Sequence, residues 1–227
     1  LQSRPGNVAT PTHLADEATR LGEAYGFEVQ AMNRAALEQD GFRSILAVSK
    51  GSAEEPRLIV MKHMGGPKGE RPVVLVGKGL TFDAGGISLK PPKGMEEMRF
   101  DMSGGAGVIG AMTAIARLGV KKNVVGIVPS SENLLGASAQ KPGDVIHTRA
   151  GITVEVVNTD AEGRLILCDA LDYALEFDPE AIVDCATLTG AVVIGLGHHA
   201  IGLMGADEDL VAEVRAAGES SGERCWP

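Results

Sequence analysis

Apolar residues recur every three or four positions in several stretches, which is the spacing of one face of an α-helix. The first stretch begins at Leu14 and stops at Gly26, a residue type that commonly ends helices. A shorter stretch follows Asn33, whose side chain suits a helix N-cap. The predicted helices are residues 14–24, 34–39, 104–118, 165–177 and 207–218.

Short apolar or alternating runs separate these helices and predict strands. Residues 72–76 are almost continuously apolar, as in strands that are buried on both faces of a sheet. The other predicted strands are residues 27–31, 45–48, 58–63, 123–128, 144–148, 153–157 and 181–186. Alternating strands and helices predict an α/β fold: a mixed, mostly parallel sheet with helices on both faces, in a single three-layer domain.

A tract rich in glycine and proline, residues 77–100, follows the apolar strand 72–76 without regular periodicity. Long irregular segments inside a compact domain are usually functional. Lys78 and Asp83 begin this tract, Lys90 lies within it, and Asp101 comes just after it. Three of them also have a structural interpretation: Lys78 as a surface lysine, Asp83 as a turn-forming aspartate and Asp101 as a helix N-cap.

The segment NTDAEGR, residues 158–164, places two carboxylates and an arginine between a predicted strand and a predicted helix. The carboxyl edge of an open α/β sheet is where ligands bind. Asp160 and Glu162 are close enough to repel each other unless a cation or a proton lies between them. The alternative is a capping box, in which Thr159 caps the helix and Glu162 reaches back to its amide.

Together these segments bring four carboxylates to strand ends and helix starts. Four uncompensated charges would be costly there, and two divalent cations are the simplest counterweight. Lys90 and Arg164 could then stabilise charge that develops in a transition state. The four carboxylates are Asp83, Asp101, Asp160 and Glu162.

A rival signal is GAGVIG at residues 105–110, which matches the G-x-G-x-x-G pattern of dinucleotide-binding folds, with Glu132 roughly 20 residues further on. The preceding residues do not form a buried strand, so close helix packing is the better interpretation of these glycines. No G-x-S-x-G motif supports serine hydrolysis.

Bulk composition narrows the classes of function. The 227 residues are 44% hydrophobic and carry a formal net charge of -9, which argues against a general nucleic-acid surface. No apolar run reaches the roughly 18 residues of a membrane span. Three cysteines without metal-site spacing indicate reduced thiols and a cytoplasmic protein.

Six segments, in order along the chain, resemble the leucyl aminopeptidases, the cytosol aminopeptidase family. The octapeptide NTDAEGRL at 158–165 is the most specific of them. Departures from the family pattern are mild and lie at Ser103, Cys168 and Cys185. The segments are residues 76–91, 101–105, 132–133, 142–144, 158–165 and 186–190.

The resemblance implies two divalent metal ions, zinc or manganese and possibly magnesium, each with a set of ligands. The first set is Asp83, Asp160 and Glu162. The second set is Lys78, Asp83, Asp101 and Glu162. A coordinating Lys78 must be neutral, which a divalent cation can enforce.

The resemblance also implies roles for the surrounding residues. Lys90 would stay charged and bind the tetrahedral intermediate, and Arg164 would hold a bicarbonate that takes a proton from the metal-bridging water. Substrate contacts would come from Met98, Thr187, Leu188 and Gly190. The family is hexameric, with an N-terminal domain ahead of this one, so residues 1–227 are expected to be a catalytic domain that is truncated at both ends.

The expected function is therefore a two-metal aminopeptidase that removes N-terminal, leucine-like residues from peptides by means of a metal-bridging hydroxide. The alternatives are another two-metal hydrolase, such as a phosphoesterase, or a DNA-binding or assembly role added to the peptidase.

Overall fold

The structure, a computed structural model, describes residues 1–227. It divides into two compact units, Leu1–Thr187 and Leu188–Pro227, and each is described by itself. None of its helices has the length and apolar character needed to cross a membrane.

The first unit contains eight strands. In chain order they are β1 Glu28–Met32, β2 Arg57–Met64, β3 Val73–Gly77, β4 Gly79–Asp83, β5 Asn123–Asn133, β6 Val145–His147, β7 Thr153–Glu155 and β8 Ala181–Cys185. The main sheet has the order β1-β2-β5-β3-β8, with β4 also paired to β5. Pairing is antiparallel for β1–β2 and β2–β5, and parallel for β3–β5, β4–β5 and β3–β8.

Helices cover both faces of this sheet. They are α1 Pro11–Tyr25, α2 Arg34–Gln39, α3 Arg43–Ser49, α4 Ser103–Leu118 and α5 Gly163–Ala174, with 3₁₀ helices at Met95–Phe100 and Leu175–Phe177. Leu58 and Val60 of β2 pack in the apolar cluster that includes α3 and α5, whereas Ile59 and Met61 pack with α1 and α4. This alternation confirms the predicted mixed sheet with helices on both faces.

Local capping explains why several predicted boundaries agree with the structure. The Asn33 side chain accepts a hydrogen bond from the Ala36 amide at the start of α2. Gly26 ends α1 in the left-handed conformation, which glycine adopts without steric cost.

The prediction of a strand at residues 45–48 is wrong, because these residues lie in α3. Phe42 at the helix N-cap offers no side-chain hydrogen bond. Instead, the buried Asp169 carboxylate accepts hydrogen bonds from the Ser44 amide at 2.8 Å and the Ile45 amide at 3.3 Å. This distant cap favours the helix, and no local pattern shows it.

Asp169→Asn is expected to lower the free energy of unfolding by about 2 kcal/mol. The carboxylate also accepts the Arg149 amide at 2.9 Å, and an asparagine has a single acceptor oxygen for these three buried donors. Urea denaturation measures the loss. Asp172→Asn, which breaks a partly exposed ion pair with Arg149, is the control and is expected to cost less than about 1 kcal/mol. Equal losses in the two variants would contradict the capping role.

Two further predictions need correction near the acidic segments. The tract 77–100 is not irregular throughout: it contains β4, which pairs with residues 130–133 of a longer β5 than predicted, and a 3₁₀ helix. The strand before NTDAEGR is also not part of the main sheet, since β7 pairs only with β6 in a separate two-stranded ribbon.

The second unit contains α6 Ala191–Leu196, β9 Ile201–Gly202, α7 Glu208–Ser221 and β10 Cys225–Trp226. Its two short strands pair in parallel, and the Asp207 side chain caps α7. That residues 1–227 form one domain, truncated at both ends, stays a prediction.

Candidate metal centre

Lys78 lies at the junction between β3 and β4, where its backbone bonds to two neighbouring elements. Its amide donates to the Cys185 carbonyl at 2.9 Å, and its carbonyl accepts the Gly105 amide at 2.7 Å. The start of α4 therefore touches the strand backbone directly. A Cβ at Gly104 would lie 1.9 Å from the Cys185 carbonyl oxygen, so only glycine permits this approach.

The Lys78 side chain is 2% exposed and points between two carboxylates. Its Nζ lies 2.7 Å from Asp101 Oδ2 and 2.9 Å from Glu162 Oε1, and it also donates to the Thr187 carbonyl at 3.0 Å. Burial lowers the pKa of Lys78, but attraction to Glu162 and Asp101 outweighs this effect and raises the pKa overall. Lys78 is therefore an ammonium group in this structure, and its predicted role as a metal ligand requires loss of that proton.

A second lysine bridges the other two carboxylates. Lys90 Nζ lies 2.7 Å from Asp83 Oδ2 and 2.6 Å from Asp160 Oδ1. Burial opposes the charge of Lys90, but hydrogen bonds to Asp160 and Asp83 raise its pKa overall. Each lysine thus lies between two of the four predicted carboxylates and forms an ion pair with both.

Three of the carboxylates converge closely enough to share one cation. One oxygen each from Asp83, Asp160 and Glu162 lies within 4.8 Å of the others. Asp101 joins this group through Lys78 and through a 2.6 Å hydrogen bond from Thr187 Oγ1. All five predicted metal-binding residues therefore meet at the carboxyl end of β3 and β4.

Glu162 supplies a direct test of whether these residues fit a metal. Burial raises its pKa to about 7, with Lys78 opposing the shift and the Asp83 charge adding to it. Its Oε2 is buried and has no hydrogen-bond partner, which is costly for a carboxylate. With all four carboxylates ionised, the two ammonium groups leave two negative charges uncompensated. An oxygen-rich, electron-pair-donating set of this kind fits divalent cations.

The capping-box interpretation of NTDAEGR is wrong. The N-cap residue of α5 is Glu162, with no side-chain cap hydrogen bond. Thr159 Oγ1 instead donates to the Gly85 carbonyl at 2.6 Å and accepts the Ser88 amide at 2.8 Å. Thr159 therefore fastens the segment that carries Asp160 to the loop that follows Asp83.

Sequence reasoning assigned no role to Asn133, although it lies at the end of β5 beside the carboxylates. Its Nδ2 donates to Asp83 Oδ1 at 2.9 Å and to the Thr159 carbonyl at 3.0 Å. The signal available in the sequence was its place a few residues beyond the predicted strand 123–128, near the carboxyl edge of the sheet.

The remaining predicted site residues have less definite surroundings. Arg164 is exposed on the first turn of α5 and makes no hydrogen bond or ion pair. Met98 is half-buried on the 3₁₀ helix before Asp101. Leu188 and Gly190 are exposed in the second unit. Their assigned roles, and the substrate contact expected of Thr187, stay predictions.

The glycines of the dinucleotide-like motif lie inside α4, which follows a 3₁₀ helix. A dinucleotide site needs them at the turn between a strand and a helix. Because the glycines lie inside a helix, the dinucleotide-binding interpretation has no physical basis.

The model of the cytosol aminopeptidase family, catalytic domain, matches residues 1–227. The chain belongs to the cytosol aminopeptidase family. It is 53% identical over 227 residues to a probable cytosol aminopeptidase of Nitrosococcus oceani, covering 100% of this chain and 45% of the relative. It is also 53% identical over 226 residues to one of Geobacter sulfurreducens, covering 100% of this chain and 46% of the relative.

A solved family structure has the same fold. The Caenorhabditis elegans leucine aminopeptidase superimposes with a TM-score of 0.96 at 37% identity, covering 100% of this chain and 46% of that one. The present chain thus spans about half the length of the family members that it matches.

Proposed function

We propose that this chain carries the metal centre of a two-metal aminopeptidase that removes N-terminal, leucine-like residues from peptides. The observation that carries the proposal is the cluster of four carboxylates interleaved with Lys78 and Lys90. Membership of the cytosol aminopeptidase family supports the reaction class.

The chain's own residues divide into ligands and charge-stabilising groups. Asp83, Asp160 and Glu162 would hold one cation, and Asp101 with Lys78 would complete the site for a second. Bound divalent cations polarise a carbonyl group and lower the pKa of water, which is the chemistry that peptide hydrolysis needs. Zinc, manganese and magnesium are the candidate ions.

Lys90 would act on the substrate as a permanent cation. Its raised pKa keeps the ammonium group charged, and its side chain is 21% exposed, so it can meet a bound peptide. A positive charge fixed beside the scissile carbonyl stabilises the negative charge that develops on the carbonyl oxygen.

Arg164 is proposed to hold the anion that accepts a proton, with bicarbonate as the candidate. Its guanidinium group is exposed and unpaired, two residues after Glu162. A planar guanidinium offers paired donors that match a carbonate-like anion, and the start of α5 adds favourable backbone charge.

Met98, Thr187, Leu188 and Gly190 are proposed to contact the peptide, and a homohexamer is the proposed assembly. The leucine preference is supported by the likeness to the C. elegans protein, which is a leucine aminopeptidase. The comparisons do not favour a phosphoesterase or a DNA-binding role, and the net charge of -9 argues against the latter.

Leucine p-nitroanilide hydrolysis by the full-length protein tests the proposal. A chelator is expected to abolish the activity, and added Mn²⁺ or Zn²⁺ is expected to restore it. N-acetyl-leucine p-nitroanilide, which has no free amino group, and p-nitrophenyl phosphate are the control substrates. Activity that resists the chelator, or faster hydrolysis of either control substrate, would overturn the proposal.

A further inference from the structure

Asn133 joins the two chain segments that supply the clustered carboxylates. It is 1% exposed and lies opposite Asp83 in the pairing of β4 with β5. Its side-chain amide donates to Asp83 Oδ1 at 2.9 Å and to the Thr159 carbonyl at 3.0 Å. Since an amide nitrogen carries two hydrogens, both are used.

The surroundings leave the Asn133 side chain little freedom to turn away. Its backbone carbonyl accepts the Ala84 amide at 2.9 Å, which fixes the backbone beside Asp83. Gly86 has a φ of +66°, and a Cβ there would lie 2.8 Å from Asn133 Oδ1. The loop after Asp83 therefore closes directly over the amide.

These contacts set the orientation of the Asp83 carboxylate. Oδ1 accepts hydrogen bonds from Asn133 and from the Gly85 amide at 2.9 Å, whereas Oδ2 faces Lys90 at 2.7 Å. The same side-chain amide holds the carbonyl of Thr159, the residue before Asp160. The neutral Asn133 amide thus links the Asp83 and Asp160 segments, in addition to the link that the Thr159 hydroxyl makes to the loop after Asp83.

We propose that Asn133 is a positioning residue that fixes the metal-ligand geometry of the cluster; this inference rests on the proposed function. Both of its partners are acceptors, so the position needs two donors without added negative charge. Leucine has a similar volume but no donor, and would leave Asp83 Oδ1 with a single buried hydrogen bond.

Asn123, at the opposite end of β5, provides a matched control. It is 2% exposed, and its Nδ2 likewise donates to two acceptors, the Pro67 and Glu70 carbonyls at 3.2 and 2.9 Å. It contacts none of the clustered carboxylates. Asn123→Leu therefore removes these two hydrogen bonds, together with the one that Asn123 Oδ1 accepts from the Gly66 amide at 3.1 Å, and leaves the metal centre intact.

The experiment is calorimetric titration of the metal-free protein with Mn²⁺, below the unfolding temperature of each variant. Asn133→Leu is expected to weaken Mn²⁺ affinity by about 10–100-fold, as changes to groups that orient metal ligands do. Asn123→Leu is expected to lower the Tm while binding Mn²⁺ as the wild type does. If Asn133→Leu does not fold, the smaller Asn133→Ser carries the same test, with at least about a tenfold loss expected.

The outcomes separate this inference from the proposed function. If the folded Asn133 variant binds Mn²⁺ with the same affinity as the wild type, the positioning role is overturned and the proposed function is not. An equal loss of affinity in Asn123→Leu also overturns it, because general destabilisation would then explain the effect. A wild-type protein that binds no Mn²⁺ overturns the proposed function and this inference with it.

Discussion

Asp83→Asn is expected to abolish binding of divalent metal at its site. Changes to residues that only orient metal ligands reduce metal affinity or activity by about 10–100-fold, and leucine anilide hydrolysis is expected to fall by more than that. Asp83 is the carboxylate that meets both Lys90 and the Asn133 amide. Its neutral replacement could still accept the hydrogen bond from Asn133, so the fold is expected to survive. The lost charge removes the ligand that the resemblance assigns to both metals.

Glu132→Gln is the matched control for this variant. Glu132 is a neighbouring carboxylate on β5, but its side chain accepts a 2.5 Å hydrogen bond from Ser52. Successive strand residues point to opposite faces, so Glu132 points away from the side on which Asn133 contacts Asp83. Metal content after dialysis and Mn²⁺ titration are the measurements. Wild-type metal binding by Asp83→Asn, or an equal loss in Glu132→Gln, would contradict the assigned ligand role.

Lys90→Met is expected to lower kcat by about 10²–10³-fold while metal binding persists. In the proposed function the Lys90 ammonium group stabilises charge that develops on the substrate, so its loss raises the barrier of the chemical step. Metal affinity is not expected to fall, because Asp83 and Asp160 lose a competing cation at 2.7 and 2.6 Å.

Steady-state kinetics at saturating Mn²⁺, together with an Mn²⁺ titration, separate these two effects. Lys93→Met is the control, since Lys93 is a neighbouring exposed lysine without an ion pair. If Lys90→Met loses its metal, Lys90 holds the cluster together rather than acting on the substrate. If kcat is unchanged, the proposed charge stabilisation is wrong.

The sequence by itself determined the α/β class and most of the elements. Helix α2 begins after the predicted Asn33 cap, and the apolar run at 72–76 became β3, because capping and periodicity are local properties. The sequence also indicated every charged member of the cluster, because the four carboxylates lie near strand ends or helix starts and because the segments that carry both lysines resemble those of the family.

Only the tertiary structure decided how these groups pair. Lys78 meets Glu162 across 84 residues of chain, and Asn133 meets Asp83 across 50. Other long-range contacts explain two departures from the predictions. Asp169 caps the helix that contains residues 45–48, and Thr159 binds the loop at Gly85 instead of capping α5. Local spacing cannot encode such contacts, because they depend on which strands become neighbours in the sheet and on which polar groups are buried together there.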